Sequence, residues 1–345
     1  MMTIGVGLVG YGLGGRAFHA PYVQATPGME LRVVASRQAS RVLADHPQVR
    51  VVADIARLLE QPGVDLVAIS SPDAFHADHA MTALRAGKHV VVDKPFATRW
   101  EDALAVERLA DEKGLIAAAF QNRRWDADFL TLRRILREDL LGPIVQFESR
   151  FDRWRPQPAD SWKDAREGGS WMDLGPHLVD QALQLFGSPI AISADIAALR
   201  ADAAAPDYFH AVLRYPTMRA ILHSSKLAAA NDLRFAVHGL RGSWVKQGLD
   251  PQEGAALAGI PPGSPDWGHD PQTGVYWSGE PDGLGRPIAN ERGDYSAFWR
   301  QLAAAIEGRG VNPVPAAEAV AALRVLQAGI ESAARRCEVE IGSFG

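Results

Sequence analysis

The sequence predicts a two-domain chain of the α/β class: a parallel sheet built of βα units up to about residue 120, then an α+β half on a mostly antiparallel sheet. Three observations carry that reading. In the first 120 residues, short apolar runs alternate with helix-patterned segments, the arrangement of strands joined by helical crossovers. A glycine-rich turn follows the first apolar run. Beyond about residue 140, strand-like runs succeed one another with few helices between them, which favours antiparallel pairing.

The first-half strands are expected at residues 4–9, 31–36, 65–70, 89–92 and 116–120. HADHAMTALRAGK reads as a helix closed by Gly87. TRWEDALAVERLADEKG reads as another, with Thr98 as N-cap, Glu101 in the capping-box position and Gly114 at its end. In the second half, IVQFESRFDRW, ISADIAAL, YFHAVLRY, RAILHSSKL and RFAVHG are the strand-like runs. Residues 248–293 are dense in Gly and Pro and too long for a simple turn, so a functional or packed surface loop is expected there. AEAVAALRVLQAGIESAARR is a closing amphipathic helix.

Composition narrows the function classes. With 345 residues, 47% hydrophobic and 22% charged, the chain can bury two ordinary cores. A net charge of -5 offers no basic field for nucleic acid or anionic lipid. The single cysteine, Cys337, excludes an internal disulfide and a cysteine-built metal site, and it suits a reducing compartment. The apolar start at residues 4–9 is far too short to span a bilayer. A cytoplasmic protein without nucleic-acid or membrane partners is the expectation.

Gly10-x-Gly12-x-x-Gly15 follows a strand and precedes a helix-compatible segment, the context a dinucleotide fingerprint needs. Gly10 permits the tight turn, Gly12 lets backbone approach a pyrophosphate, and Gly15 lets helix and strand pack closely. The free N–H groups and positive dipole end of the helix would face that anion. A glycine-rich turn without a ligand has the same pattern. About 20 residues on, where a carboxylate would bind the ribose 2′-hydroxyl, the sequence reads VVASRQASR, with Ser36, Arg37 and then Arg41. A hydroxyl followed by a guanidinium suits a 2′-phosphate, so NADP(H) is favoured and NAD(H) is the alternative. A solvated arginine pair at a helix start would look alike.

SSPDAFH and VVVDKPFA follow the third and fourth strands, at carboxyl ends where open α/β sheets bind ligands. Lys94 ends an apolar strand and is followed by Pro95. In a partly dry site its ammonium can donate to a substrate hydroxyl, although a strand-end lysine can also simply face water. GGSWMDLGPHLVDQALQLFG places Asp173, His177 and Asp180 on one helical face. An imidazole beside carboxylates suits a general base. The alternatives are a satisfied core histidine, and an Asp173 at the helix N-terminus, since Pro176 is expected near its start. His19, His76 and His79 lack dedicated ligand spacing, so no metal is expected.

Taken together, Gly10-x-Gly12-x-x-Gly15, Asp93-Lys94-Pro95, QNRRWD and GGSWMDLGPHLVD resemble the Gfo/Idh/MocA family of glucose–fructose oxidoreductase and inositol dehydrogenase-like enzymes. FHAPYV, NRRWDADFLTL, DYFHAVL, GLDPQE and DWGHD are similar to its branch with NADP-dependent scyllo-inositol dehydrogenase. The resemblance implies a Rossmann NADP-binding domain at 1–122. It also implies an α+β domain at 123–345 with an open, mostly antiparallel sheet that binds substrate and joins copies into a homodimer or homotetramer.

The implied activity is hydride transfer between nicotinamide and a secondary alcohol or ketone of a sugar, inositol or related polyol. By family pattern, Lys94 orients the hydroxyl, His177 shuttles its proton and Asp173 completes the polar group. Arg123 and Asp180 touch substrate or lie beside the nicotinamide. Gly10, Gly12, Leu13 and Gly15 hold the pyrophosphate, Ser71, Pro72 and His76 line the cofactor groove, and Asp93 lies near the nicotinamide ribose. The family often has Glu at the place of Asp93 and Asn at the place of Asp73. Two alternatives share the fold: a nucleotide-retaining glycoside-processing enzyme, and a non-catalytic NADP(H)-binding sensor. Loss of Lys94 or His177 would mark the sensor, and both are present.

Overall fold

In a computed structural model, which describes residues 3–157, 168–280 and 283–342, the chain divides into two compact units. The first comprises residues 1–125, 252–267 and 294–320, and the second comprises 126–251, 268–293 and 321–345.

The sheet of the first unit is parallel throughout. Its strands are β1 (Ile4–Val9), β2 (Met29–Ala35), β3 (Arg50–Val52), β4 (Leu66–Ile69), β5 (His89–Val92) and β6 (Ala117–Ala119), in the order β3-β2-β1-β4-β5-β6. Every residue of β1 and β4 is buried, as expected of central strands covered on both faces. The strand order reverses between β1 and β4, which opens the crevice in which such sheets bind ligands. β3 was not expected from sequence: it is three residues long and partly exposed, too short to show a period.

A π turn (Gly15–His19) leads into α1 (Ala20–Ala25), followed by α2 (Ala39–Asp45), α3 (Ile55–Leu59), α4 (His76–Arg85) and α5 (Trp100–Lys113). α5 stops at Gly114, whose φ of 63° is the left-handed cap conformation. Its start departs from expectation. Arg99, not Thr98, is the N-cap and no side chain caps the helix; Glu101 instead pairs with Arg99 at 3.5 Å.

The second unit holds a nine-stranded sheet. Its strands are β7 (Ile144–Arg150), β8 (Ala191–Ala197), β9 (Tyr208–Arg214), β10 (Arg219–Ser225), β11 (Leu233–Gly239), β12 (Gly242–Gln247), β13 (Gly274–Ser278), β14 (Arg286–Ile288) and β15 (Val339–Glu340). The order is β14-β13-β12-β11-β7-β10-β9-β8-β15, antiparallel except for the parallel pair β7/β10. β9 shows the alternation of a one-sided sheet, with Phe209, Ala211 and Leu213 buried. α6 (Ala127–Arg137) precedes the sheet, and α7 (Gly169–Phe186) packs on β9 and β10. β12, β13 and β14 were not read from sequence, because glycines and prolines break the apolar pattern between residues 242 and 288.

The chain returns twice to the first unit, through α8 (Gln252–Leu257) and α9 (Ser296–Ile306), before α10 (Ala316–Arg335) closes it. A single division at residue 122 therefore does not describe how the chain is distributed. One buried amide joins the returning segments. Gln252 donates to the carbonyl of Trp125 at 3.0 Å, and its Oε1 accepts from the Trp267 indole at 3.1 Å and from the Tyr295 N–H at 2.8 Å.

Gln252→Leu keeps the volume but leaves two buried donors without this acceptor. Its expected cost is about 2–4 kcal/mol of unfolding free energy, read from urea denaturation. A loss below about 0.5 kcal/mol would show that the other contacts suffice.

Candidate active site

The turn after β1 is built where no side chain fits. Gly10 has φ 95°, and a Cβ there would lie 2.4 Å from the Ser70 carbonyl oxygen. A Cβ at Gly15 would lie 2.2 Å from the Gly10 carbonyl oxygen, so the π turn presses directly on the strand end. Gly12 is different: nothing lies within 4 Å of a Cβ built there. The backbone at Gly12, and at Leu13 where the helix begins, is thus open to a close approach. Free N–H groups at a helix start with no obstructing side chain fit a pyrophosphate.

Ser36 and Arg37 follow β2, the neighbouring strand. The Ser36 hydroxyl accepts from the Gln38 N–H at 3.0 Å, Arg37 is exposed, and Arg41 reaches Gln38 at 3.2 Å. Residues 36–41 contain no carboxylate.

At the end of β5, Asp93 is bonded on both oxygens. One accepts from the Lys94 N–H at 2.8 Å; the other accepts from the Ser70 hydroxyl at 3.1 Å and lies 3.3 Å from His19 Nε2. Burial alone would push its pKa up. The hydrogen bond to His19, with the electrostatic influence of His19, His76 and Lys94, outweighs burial and holds it well below the usual carboxylate range. The implied place beside a ribose is therefore occupied by a carboxylate already committed to protein partners. Lys94, half-buried, stands next to it at the carboxyl edge.

Three residues of this cluster, Ser70, His19 and Gly14, were not assigned roles from sequence. His19 is fully buried in the π turn, against Phe120 with ring centroids 4.5 Å apart and Trp299 at 5.7 Å. Gly14 matters because a Cβ there would fall 2.7 Å from an Asp93 oxygen and 2.5 Å from the Ser70 hydroxyl. The signals were the FHAP run and a glycine more than the fingerprint requires.

His76 corrects an expectation. It is only 1% exposed, and its ring nitrogens face the carbonyls of Ser71 at 2.8 Å and Pro95 at 2.7 Å. It joins the turns after β4 and β5 from within and does not line a groove. Above it, Pro72 is exposed, and the Ser71 hydroxyl bonds His79 Nδ1 at 3.0 Å. Burial lowers the His79 pKa, which leaves that ring neutral at pH 7.

In the second unit, α7 starts after Gly168, and a Cβ at Gly169 would lie 2.0 Å from the Pro206 carbonyl oxygen. Pro176 lies inside the helix, not near its start, so Asp173 is an interior residue and not a cap. His177 is 5% exposed and Asp180 3%, while Asp173 is half-buried on the same helical face. The His177 and Phe151 rings meet nearly at right angles, with centroids 6.5 Å apart.

Arg123 belongs to the first unit. Its buried guanidinium pairs with Glu253 of α8. Glu253 lies in the GLDPQE run, but its partner is 130 residues away. Among the described residues, no group of three His, Cys, Asp or Glu side chains is placed to hold a metal, and no helix is long and apolar enough to cross a membrane.

Because the folded pKa of Asp93 lies below its unfolded value of about 3.9, its stabilising effect is complete above roughly pH 4 and is lost as pH falls through the folded value. Urea midpoints followed downward from neutral pH should decline less steeply in Asp93→Asn than in the unaltered chain. Parallel curves would mean that the bonds to Asp93 do not stabilise the fold.

Comparison with known proteins places this arrangement. Residues 4–120 match the family model described as the NAD-binding Rossmann fold of an oxidoreductase family, and residues 133–341 match that family's C-terminal alpha/beta domain. The uncharacterized oxidoreductase YdgJ of Escherichia coli K12 is 46% identical over 337 residues, covering 97% of each chain. The NADP(+) scyllo-inositol 2-dehydrogenase IolW of Bacillus subtilis is 35% identical, over 96% of this chain and 94% of its own. The solved structure of the YPO2259 protein of Yersinia pestis superposes with a TM-score of 0.96 at 44% identity, covering 100% of this chain and 99% of that one. Matched in order along both halves, the chain belongs to the Gfo/Idh/MocA oxidoreductase family, with an amino-terminal NAD-binding domain.

Proposed function

We propose that the chain is an NADP-dependent dehydrogenase acting on a secondary alcohol of an inositol or related polyol. The observation that carries this reading is an amine at the carboxyl end of β5 together with an imidazole on the polar face of α7, in a chain 35% identical to an NADP(+) scyllo-inositol 2-dehydrogenase. Ser36 and Arg37 beyond β2, with no carboxylate nearby, support the choice of NADP over NAD.

When bound, the nicotinamide supplies the hydride acceptor or donor. Leu13 and the glycines before it would hold the pyrophosphate, and Ser36 and Arg37 the 2′-phosphate. His177 takes the proton of the substrate hydroxyl and returns it in the reverse direction. Lys94 donates a hydrogen bond to the same oxygen and stabilises its developing charge. Asp173 and Asp180 orient the imidazole or the substrate hydroxyls. The partner is a small polyol or sugar. The enzyme works in the cytoplasm as a homodimer or homotetramer joined through the sheet face opposite α7, where Val212 and Ile221 lie among polar neighbours.

Inositols, aldoses and diols assayed with each cofactor, by absorbance of the reduced nicotinamide, test the reading. Lys94→Ala and His177→Ala should each lower kcat by about a hundred- to ten-thousand-fold while NADP+ binding stays near that of the unaltered chain. Unchanged rates in both would remove the assigned roles. Arg37→Glu should shift the ratio of NADP+ to NAD+ affinity by about tenfold or more towards NAD+. An unchanged ratio would overturn the NADP assignment.

A further inference from the structure

β11 meets β12 through a bulge between Leu233 and Phe235, and the residue at the bulge is Arg234. Bulges re-aim side chains. This one leaves Arg234 fully buried, with its guanidinium engaged on every edge. Nε donates to Asp128 of α6 at 3.1 Å, Nη1 to the Ser149 hydroxyl of β7 at 2.7 Å, and Nη2 to Gln181 Oε1 of α7 at 2.7 Å. Its flat faces are covered by Phe235 at 3.9 Å and Phe151 at 4.2 Å.

Stability alone does not account for this arrangement. Withdrawing a guanidinium and a carboxylate completely from water carries a heavy desolvation penalty, and apolar residues of similar volume commonly do as well or better. The pair is not even fully satisfied, since the second oxygen of Asp128 is buried without a hydrogen-bond partner. What Arg234 does hold is specific. Gln181 lies one helical turn beyond His177. Phe151 is the ring that meets His177, at an interplanar angle of 82°. The helix that carries His177 and the aromatic neighbour of its ring are thus fastened to one planar cation.

We propose that Arg234 is a positioning residue for His177, fixing the turn of α7 and the Phe151 ring that orient the imidazole. This rests on the reading of His177 as the proton-transfer group. A lysine cannot replace the fork, since three donors in fixed directions and two stacking faces are all in use.

Removing Arg234 alone would strand the Asp128 carboxylate, so the test is the charge-free pair Arg234→Met with Asp128→Leu, beside the single variant Arg234→Lys. The full chain is used, with NADP+ and scyllo-inositol as probes. Thermal unfolding and NADP+ binding report the integrity of the two units. The imidazole signals of histidine-labelled protein, assigned with His177→Gln, report the His177 ring whatever the substrate.

The charge-free pair should unfold near the unaltered midpoint and bind NADP+ with affinity changed by less than about twofold. Its His177 signals should be shifted and broadened, and kcat should fall by about tenfold to a hundredfold with KM changed less. Arg234→Lys should show the same signature. Gln181→Met, which cuts the link to α7, should show a weaker form, and it carries the test with Arg234→Lys if the pair does not fold. His177 signals that coincide with those of the unaltered chain in any folded Arg234 variant overturn the proposal. Shifted signals with undiminished turnover, together with an active His177→Gln, would instead retire the role of His177 and leave the hold of Arg234 on its ring standing.

Discussion

The backbone crossing at the carboxyl ends of β1 and β4 is the constraint from which the first unit's site follows. With a Cβ at Gly10 the turn could not lie against the Ser70 carbonyl, and with one at Gly14 the helix start could not lie against Asp93 and the Ser70 hydroxyl. Because both positions lack one, the ends of β1, β4 and β5 and the π turn converge. His19 can then reach Asp93, and Asp93 can hold the main chain of Lys94. The apolar strands set the direction of these turns; the missing side chains set their distance.

Charge inside the molecule is largely paired. Arg200 with Asp207, Lys246 with Asp270 and Arg234 with Asp128 are buried ion pairs, and Asp93 has His19. Such groups are held in place before any ligand arrives, which is the condition under which fixed dipoles and charges act without reorganising. Arg123, too, has its charge met, by Glu253.

What could be read from sequence followed from how local each cause is. β1, β4 and β5 are nearly continuous apolar runs because both their faces are covered, and α5 ends at Gly114 because only a left-handed residue fits there. Gly10 and Lys94 stand at strand ends, where position alone suggests chemistry. The rest depends on partners far along the chain. His19 has Asp93 74 residues away, Arg234 meets Asp128 106 residues before it, and Arg123 meets Glu253 after 130. No window of sequence contains both members of such a pair. β3 was illegible for another reason, being only three residues long. That both nitrogens of His76 face main-chain carbonyls, of Ser71 and Pro95, is likewise not legible in the sequence.

The twofold return of the chain to its nucleotide-binding half constrains anyone who would recombine this enzyme with a relative. Swapping residues 1–122 as a cassette would carry His19 and Phe120 but leave behind Trp299, which packs against both, and Gln252, which joins Trp125 to Trp267 and Tyr295. A functional chimaera has to transplant three separate stretches at once, so exchange of cofactor preference between family members is easier by point substitution than by shuffling halves.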